Sequence, residues 1–428
     1  MTKPEKSFFC FKERRKRVIE ILKEKCLELQ NGVAIFFADF ENDRHLFRQH
    51  SSFYYLTGLN EPGAVLLLYF DGREILYLPN YSAKREQWVS SINDSKIADF
   101  SEVKQLGKPC IGYSLNPLFS ADEYENLLSD LYVFLKKDDI GVFAILNTLN
   151  HKNLFPVYCF RFLVSKLDHL KDISFDLSPI IERMRNIKEK CEVLEIQKAI
   201  SVTSLAHQAV ARLIMPDIYE SDVQAVIESV FISKGLNAAF PSIVASGKNS
   251  TILHYTSKSE KLKKGDLVVV DIGAEAGNYA ADLTRTYPVN GKFSVRQKEV
   301  YSIVLDAQKY IKSIARAGMY LNNPNEPDKS LQHLAVRFFE EYGLGQYFVH
   351  GIGHFLGLDV HDVGSASVPL VFGNVITIEP GIYIPQENIG IRIEDDFLIV
   401  EDGSICLSEN LQRNVDEIEE MVNKKEKL

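Results

Sequence analysis

The sequence is poor in several features, and each shortage narrows its class. It has one tryptophan, Trp88, and six cysteines, Cys10, Cys26, Cys110, Cys159, Cys191 and Cys406, scattered without any CxxC pair. That spacing argues against a thiolate zinc site or a disulfide framework and reads as reduced, mostly buried thiols. No apolar run approaches the roughly 18 residues needed to cross a bilayer, and no apolar segment follows the N-terminal charges as in a signal peptide. A cytoplasmic location is therefore the expectation. Basic charge is also short: 49 Lys and Arg stand against 58 Asp and Glu, a net charge of -9. Nucleic acid and membrane are accordingly not expected as partners. The basic run at 12–17 is interrupted by Glu13 and leads into Val18, Ile19, Ile21 and Leu22 at helical spacing, so it reads as the solvated start of an amphipathic helix.

What is present is an ordinary enzyme-like composition, 46% hydrophobic and 25% charged over 428 residues. Single cores stop growing at roughly 250–300 residues, so two domains are expected. The first mixes helix and strand. Apolar runs at 33–38, 64–70 and 74–78 read as strands; the turn Asn60, Glu61, Pro62, Gly63 introduces the second, and Asp71 with Gly72 suits a tight hairpin into the third. The pattern breaks near 172–179, where Ser178 as N-cap and Pro179 at the first helical position open a helical stretch expected over about 180–213. The domains are accordingly set at 1–172 and 173–428.

In the second domain LVVVDI (267–272) and NVITIEP (374–380) are apolar strands, each with an acid near its end, and each is followed by a strand bearing another. The pairs are Asp271 with Asp282 and Glu379 with Glu394, which suggests two similar halves facing one another. A carboxylate inside an apolar strand loses several kcal/mol of hydration unless something compensates it. For a lone Asp271 a surface strand end would suffice; four such acids in two hairpins call for a shared partner. In HGIGHFLGLDVHD (350–362), His350, His354 and His361 gather three of the ten histidines in a Gly-rich apolar segment. Single histidines are often satisfied core residues, but packing does not account for such a cluster. The glycines there lack the GxGxxG order of a dinucleotide loop, and Gly351 stands where an HExxH zinc protease needs its Glu. Four carboxylates and an imidazole form a hard set suited to two divalent ions such as Mn, Co or Fe. A water bridging two such ions can be deprotonated near neutral pH, so hydrolysis is the expected reaction.

The segments ILHY (252–255), DIGAEAGNYAADLTRT (271–286), HGIGHFLGLDVHD (350–362), EPGIY (379–383) and GIRIEDD (390–396) occur in an order that resembles the pita-bread metallopeptidases, particularly the aminopeptidase P and prolidase family. FRQHSSFYYLTGLNEPGAVLLL (47–68) resembles the N-terminal domain of aminopeptidase P, departing from it at His50 and Ser52, where acids are common. The resemblance implies an α/β N-terminal domain followed by an α+β pita-bread (creatinase/aminopeptidase-like) catalytic domain with two pseudo-symmetric halves. It implies Asp271, Asp282, His354, Glu379 and Glu394 as ligands of two divalent metal ions, most often Mn, with Co, Fe or Zn as alternatives. It implies that Asp282 and Glu394 bridge the ions, that Glu379 assists proton transfer, that His254 and His361 hydrogen-bond the scissile carbonyl, and that His350 and Arg392 line the proline side. The activity implied is removal of an N-terminal residue preceding proline, by a homo-oligomer (dimer or tetramer) in which Trp88 either closes a neighbouring subunit's pocket or packs between domains. Three readings compete. Prolidase takes only Xaa-Pro dipeptides, and longer prolidases often carry an insertion between EPGIY and GIRIEDD; methionine aminopeptidase shares the ligands but usually lacks the first domain. A catalytically inactive relative would keep the fold as a binding module, although such relatives typically lose ligands.

Overall fold

The apolar runs of the first domain form adjacent strands of one mixed sheet. In this computed structural model, which describes residues 9–41, 46–87, 97, 99–110, 120–146 and 155–424, the chain divides into two compact units, Met1–Met184 and Arg185–Leu428. Trp88 lies outside the described residues.

The first unit contains α1 (Phe9–Lys25), β1 (Asn31–Phe37), α2 (Ser51–Thr57), β2 (Val65–Tyr69), β3 (Glu74–Leu78), β4 (Glu102–Gln105), α3 (Glu125–Phe134), β5 (Ile140–Ala144), α4 (Phe155–Lys166) and β6 (Ser174–Asp176). Its sheet runs in the order β4-β3-β2-β1-β5-β6. The expected hairpin is there, with Leu68 opposite Glu74 and Gly72 at φ 91°, a backbone angle that glycine adopts without cost. His50 and Ser52 are both buried at the start of α2.

The single helix expected over about 180–213 is two helices: α5 (Ser178–Asn186), within which the division between the units falls, and α6 (Lys190–Leu213). The break has a local cause. Glu189 caps α6 in a reciprocal capping box with Glu192, which ends the continuous pattern despite its unbroken helical periodicity. At the start of α5, Asp176 Oδ1 accepts from both the N–H (3.0 Å) and the hydroxyl (2.6 Å) of Ser178.

The second unit continues through α7 (Glu220–Ser233), β7 (Asn237–Ala238), β8 (Ile243–Ser246), β9 (Leu267–Ile272), β10 (Ala274–Ala276), β11 (Tyr279–Ala280) and β12 (Leu283–Pro288). It then runs through α8 (Val295–Ile314), α9 (Leu331–Glu341), β13 (Val375–Ile378), β14 (Gly381–Ile384), β15 (Ile389–Arg392), β16 (Asp395–Val400), β17 (Gly403–Cys406) and α10 (Val415–Asn423). The halves correspond. In the first, α6 and α7 precede the antiparallel sheet β12-β9-β8; in the second, α8 and α9 precede β13-β16-β17. β9 is buried along its whole length, and burying a Val contributes about 1.5–3 kcal/mol. That core makes the hairpin rigid enough to carry Asp271 at its end.

The histidine-rich segment is not a helix. It runs antiparallel to β13, with Phe355 bridged to Ile376, the Thr377 N–H donating to His354 O (2.9 Å) and the Glu379 N–H donating to Ile352 O (2.9 Å). Close approach explains Gly353, where a Cβ would lie 2.0 Å from Thr377 O. Gly353→Ala is expected to cost about 1–3 kcal/mol of stability by overpacking and to weaken metal binding as His354 shifts. Thermal melts with and without Mn2+ check both effects. Among the described residues no helix is long and apolar enough to cross a membrane.

Candidate metal centre

Register places the acids. Asp271 of β9 pairs opposite Thr284 of β12, and Asp282 immediately precedes that strand. In the second half Glu379 follows β13 and Glu394 precedes β16, flanking the Ile378–Asp395 pair. An isolated bridge between Thr284 and Glu394 joins the two hairpins. All the residues expected at the site line one cavity of about 230 Å3: Asp271, Asp282, His354, Glu379 and Glu394, with His254, His350, His361 and Arg392.

The ligand atoms of Asp282, His354 and Glu394 lie within 4.8 Å of one another. His354 Nε2 is 3.4 Å from Asp282 Oδ2, 3.6 Å from Glu379 Oε1 and 4.0 Å from Glu394 Oε1. Burial and mutual repulsion push the Asp282 and Glu394 carboxyls well above the usual carboxylate range, and burial pushes Glu379 up to about 8. Burial holds His354 down at about 4, so the ring is neutral at pH 7. Its Nδ1 lies 3.1 Å from Phe355 O. Donation there leaves the Nε2 lone pair facing the carboxylates.

A relay of hydrogen bonds orders the rest. Arg392 Nη2 donates to Asp271 Oδ2 (2.6 Å) and Nη1 donates to the Tyr383 hydroxyl (2.8 Å). Tyr383 Oη stands 3.0 Å from His350 Nε2, while His350 Nδ1 is 2.8 Å from Gly351 O. Burial and the Arg392 charge hold His350 down at about 4, so the neutral ring accepts from Tyr383 and donates to Gly351. His254 and His361 are exposed at the rim, and the His361 ring stands edge-on to His354 at 4.3 Å.

The donor set fits divalent cations. Asp271 Oδ1 and Asp282 Oδ1 are buried without a hydrogen-bond partner, and an imidazole lone pair faces three carboxylates. Each of these costs free energy that a cation would offset. Oxygen-rich carboxylate sites with one imidazole suit hard or borderline dications.

Three residues that order these groups escaped the sequence reading. The Thr284 hydroxyl donates to Glu394 Oε2 (2.6 Å) while accepting from Arg392 Nε (3.1 Å); Tyr383 links Arg392 to His350; Asp396 Oδ2 accepts the Asp282 N–H (3.2 Å). A signal existed for two of them. Thr284 and Asp396 stand two residues beyond Asp282 and Glu394, the spacing that returns a strand side chain to the same face. Thr284→Val is expected to weaken metal affinity about 10–100-fold, the usual effect of losing a group that orients a ligand. Competition against a fluorescent chelator measures it; unchanged affinity would show that Glu394 holds its place unaided.

Two matched halves enclosing an acidic cavity of this composition define a metal-dependent hydrolase. A family model described as metallopeptidase family M24 matches residues 195–401, and one described as the aminopeptidase P N-terminal domain matches residues 11–105. A Xaa-Pro aminopeptidase of Haemophilus influenzae is 33% identical, the alignment covering 96% of this chain and 97% of that protein. A Xaa-Pro dipeptidase of Pyrococcus furiosus is 30% identical, covering 85% and 92%. Zn-substituted Escherichia coli aminopeptidase P, solved in complex with product, superposes with a TM-score of 0.81 at 27% identity, covering 99% of this chain and 100% of that one. The chain belongs to metallopeptidase family M24, in the group that carries an aminopeptidase P N-terminal domain.

Proposed function

We propose that this protein is an aminopeptidase that hydrolyses the bond between an N-terminal residue and a following proline, in which Asp271, Asp282, His354, Glu379 and Glu394 would hold two divalent ions. The observation that carries the reading is that these side chains line one cavity with His254, His350, His361 and Arg392. Bound dications of this kind polarise a carbonyl and lower the pKa of water. The chain's own groups do the rest. Glu379 takes the proton of the attacking water and delivers it to the leaving proline nitrogen. His254 and His361 donate hydrogen bonds to the scissile carbonyl oxygen as negative charge develops there. His350 and Arg392 line the proline side, held by Tyr383. A bond to proline has no amide N–H, so a site working through the carbonyl and the free amine forgoes nothing.

The hard donor set favours Mn over Co, Fe or Zn. β14 and β15 are joined by one short turn, Pro385–Glu387, and the absence of an insertion there favours aminopeptidase P over the longer prolidases. We assign residues 1–172 to the N-terminal domain and 173–428 to the catalytic domain. The free thiols Cys110, Cys159 and Cys406, all buried, suit a reducing compartment and support a cytoplasmic location. Exposed Val368, Val371 and Phe372 offer an apolar surface to a second copy and support a dimer or tetramer, which light scattering tests.

The deciding experiment offers Xaa-Pro-Yaa tripeptides and Xaa-Pro dipeptides side by side with Mn2+ or a chelator. Tripeptide cleavage after the first residue, abolished by chelation, is expected. Dipeptide turnover alone would assign a prolidase, and metal binding without any turnover a binding module.

Metal binding carries a pH signature. Because the folded carboxyls of Asp282, Glu379 and Glu394 titrate above their unfolded values, the metal-free fold binds protons that the unfolded chain releases. Their contribution to stability is present at low pH and is lost as pH rises through about 8 for Glu379. Metal reverses this by displacing the protons. The rise in melting temperature on adding Mn2+ is therefore expected to be larger near pH 8 than near about pH 5.5. Scanning calorimetry at both values checks the sign.

A further inference from the structure

Glu220, the first residue of α7, is fully buried, yet it lies outside the metal cavity and the mechanism above does not use it. Donors converge on its carboxylate from a single stretch of chain. Oε1 accepts from the Ser246 N–H (2.8 Å), the Ser246 hydroxyl (2.7 Å) and Asn249 Nδ2 (3.3 Å). Oε2 accepts from the Tyr255 hydroxyl (2.9 Å) and the Glu260 N–H (3.2 Å). The Glu220 N–H in turn donates to Glu260 O (3.0 Å).

These partners flank His254. Ser246 and Asn249 precede it, Tyr255 and Glu260 follow it, and the exposed His254 sits on the turn between the two anchored ends. The same stretch is tied to the strand that presents Arg392. The Gly390 N–H donates to Ser250 Oγ (2.9 Å), and Gly390 approaches so closely that a Cβ there would lie 1.9 Å from Ser250 O. Backbone pairing holds the outer ends of this segment, with Ser246 opposite Val268 of β9 and Tyr219 bridged to Lys261; the Glu220 carboxylate adds side-chain ties nearer the histidine, to Asn249 and Tyr255.

We propose that Glu220 is a positioning residue that sets where His254 stands over the scissile bond, by clasping residues 246–260 from both sides of the histidine. The inference rests on the role given to His254 in the proposed function. A carboxylate only accepts, which is why it can serve five donors at once. Glutamine keeps the shape but turns an NH2 toward at least two of them, leaving donors face to face and buried. The turn then relaxes, and a misplacement of about 1 Å at a catalytic group costs about 10^2-fold in rate.

The test uses the full chain with Mn2+ and a Xaa-Pro-Yaa tripeptide. Glu220→Gln is expected to lower kcat about 10–100-fold with KM little changed, the mark of an interaction made in the transition state. Bound metal should remain at the wild-type level, since the proposed ligands lie outside this stretch, and amide exchange of peptides spanning 247–258 should speed up. In a His254→Ala background the substitution should add almost nothing. If the two changes instead multiply, or if kcat holds while exchange accelerates, the inference falls and the proposed function stands. A His254→Ala protein with wild-type kcat would remove the role of His254 itself, and with it this inference. Should Glu220→Gln fail to fold, Tyr255→Phe deletes one donor and runs the same cycle, with a smaller drop in kcat expected and multiplicative effects again counting against the proposal.

Discussion

Replacing Glu394 with glutamine is expected to reduce kcat/KM by on the order of 10^3-fold or more, because a dication supplies several kcal/mol of transition-state charge stabilisation and each 1.4 kcal/mol is tenfold in rate. Glu394 is buried at 2% exposure, receives the Thr284 hydroxyl on Oε2 and points Oε1 toward His354. A glutamine in that place removes an anionic oxygen and sets an amide NH2 among groups arranged to accept cations. Metal analysis should find fewer ions than the two proposed for the wild-type protein. The metal-free variant should nonetheless melt higher than the metal-free parent, since the substitution relieves the burial cost of the Glu394 charge and the carboxylate repulsion, which together push Glu394 and Asp282 upward. Opposite movements of activity and metal-free stability separate a functional ligand from a packing residue. A variant that kept both ions and near-normal turnover would refute the assignment.

Glu379→Gln is expected to lower kcat about 10^2–10^4-fold at saturating Mn2+, the span usual for loss of a positioned acid–base group. Glu379 sits 3.6 Å from His354 Nε2 and 3.7 Å from His350 Nδ1, between the proposed metal ligands and the proline side. Glutamine retains a carbonyl oxygen that can still approach an ion, but it cannot carry a proton. Loss should therefore concentrate in kcat. Steady-state kinetics over a metal titration distinguishes the cases: a defect that excess Mn2+ repairs would make Glu379 a ligand alone, without the proton-transfer role.

Much of this was readable from sequence because the cost of burying charge leaves a visible mark. Acids at the ends of LVVVDI and NVITIEP, and histidines crowded into 350–362, stand out against apolar surroundings. Both acid-bearing strand pairs formed, β9 with β12 and β13 with β16, whereas the helix pairs that precede them were not read from the sequence. Other features left no local trace. The break between α5 and α6 depends on the reciprocal cap of Glu189 and Glu192, which periodicity does not register. Tyr383 is indistinguishable in sequence from a core aromatic until Arg392 and His350 are brought to its hydroxyl. Glu220 is less visible still: its donors are spread over residues 246–260, and only the fold collects them.

The bridge between Thr284 and Glu394 makes the site a seam. Asp271 and Asp282 arrive on one flap of the molecule, His354, Glu379 and Glu394 on the other, and neither flap offers the full donor set. A nascent chain with only its first flap folded would therefore hold a dication weakly, and tight uptake would await the docking of the second. Metal capture would then act as a late checkpoint in biogenesis, withholding hydrolytic power from chains that have not closed.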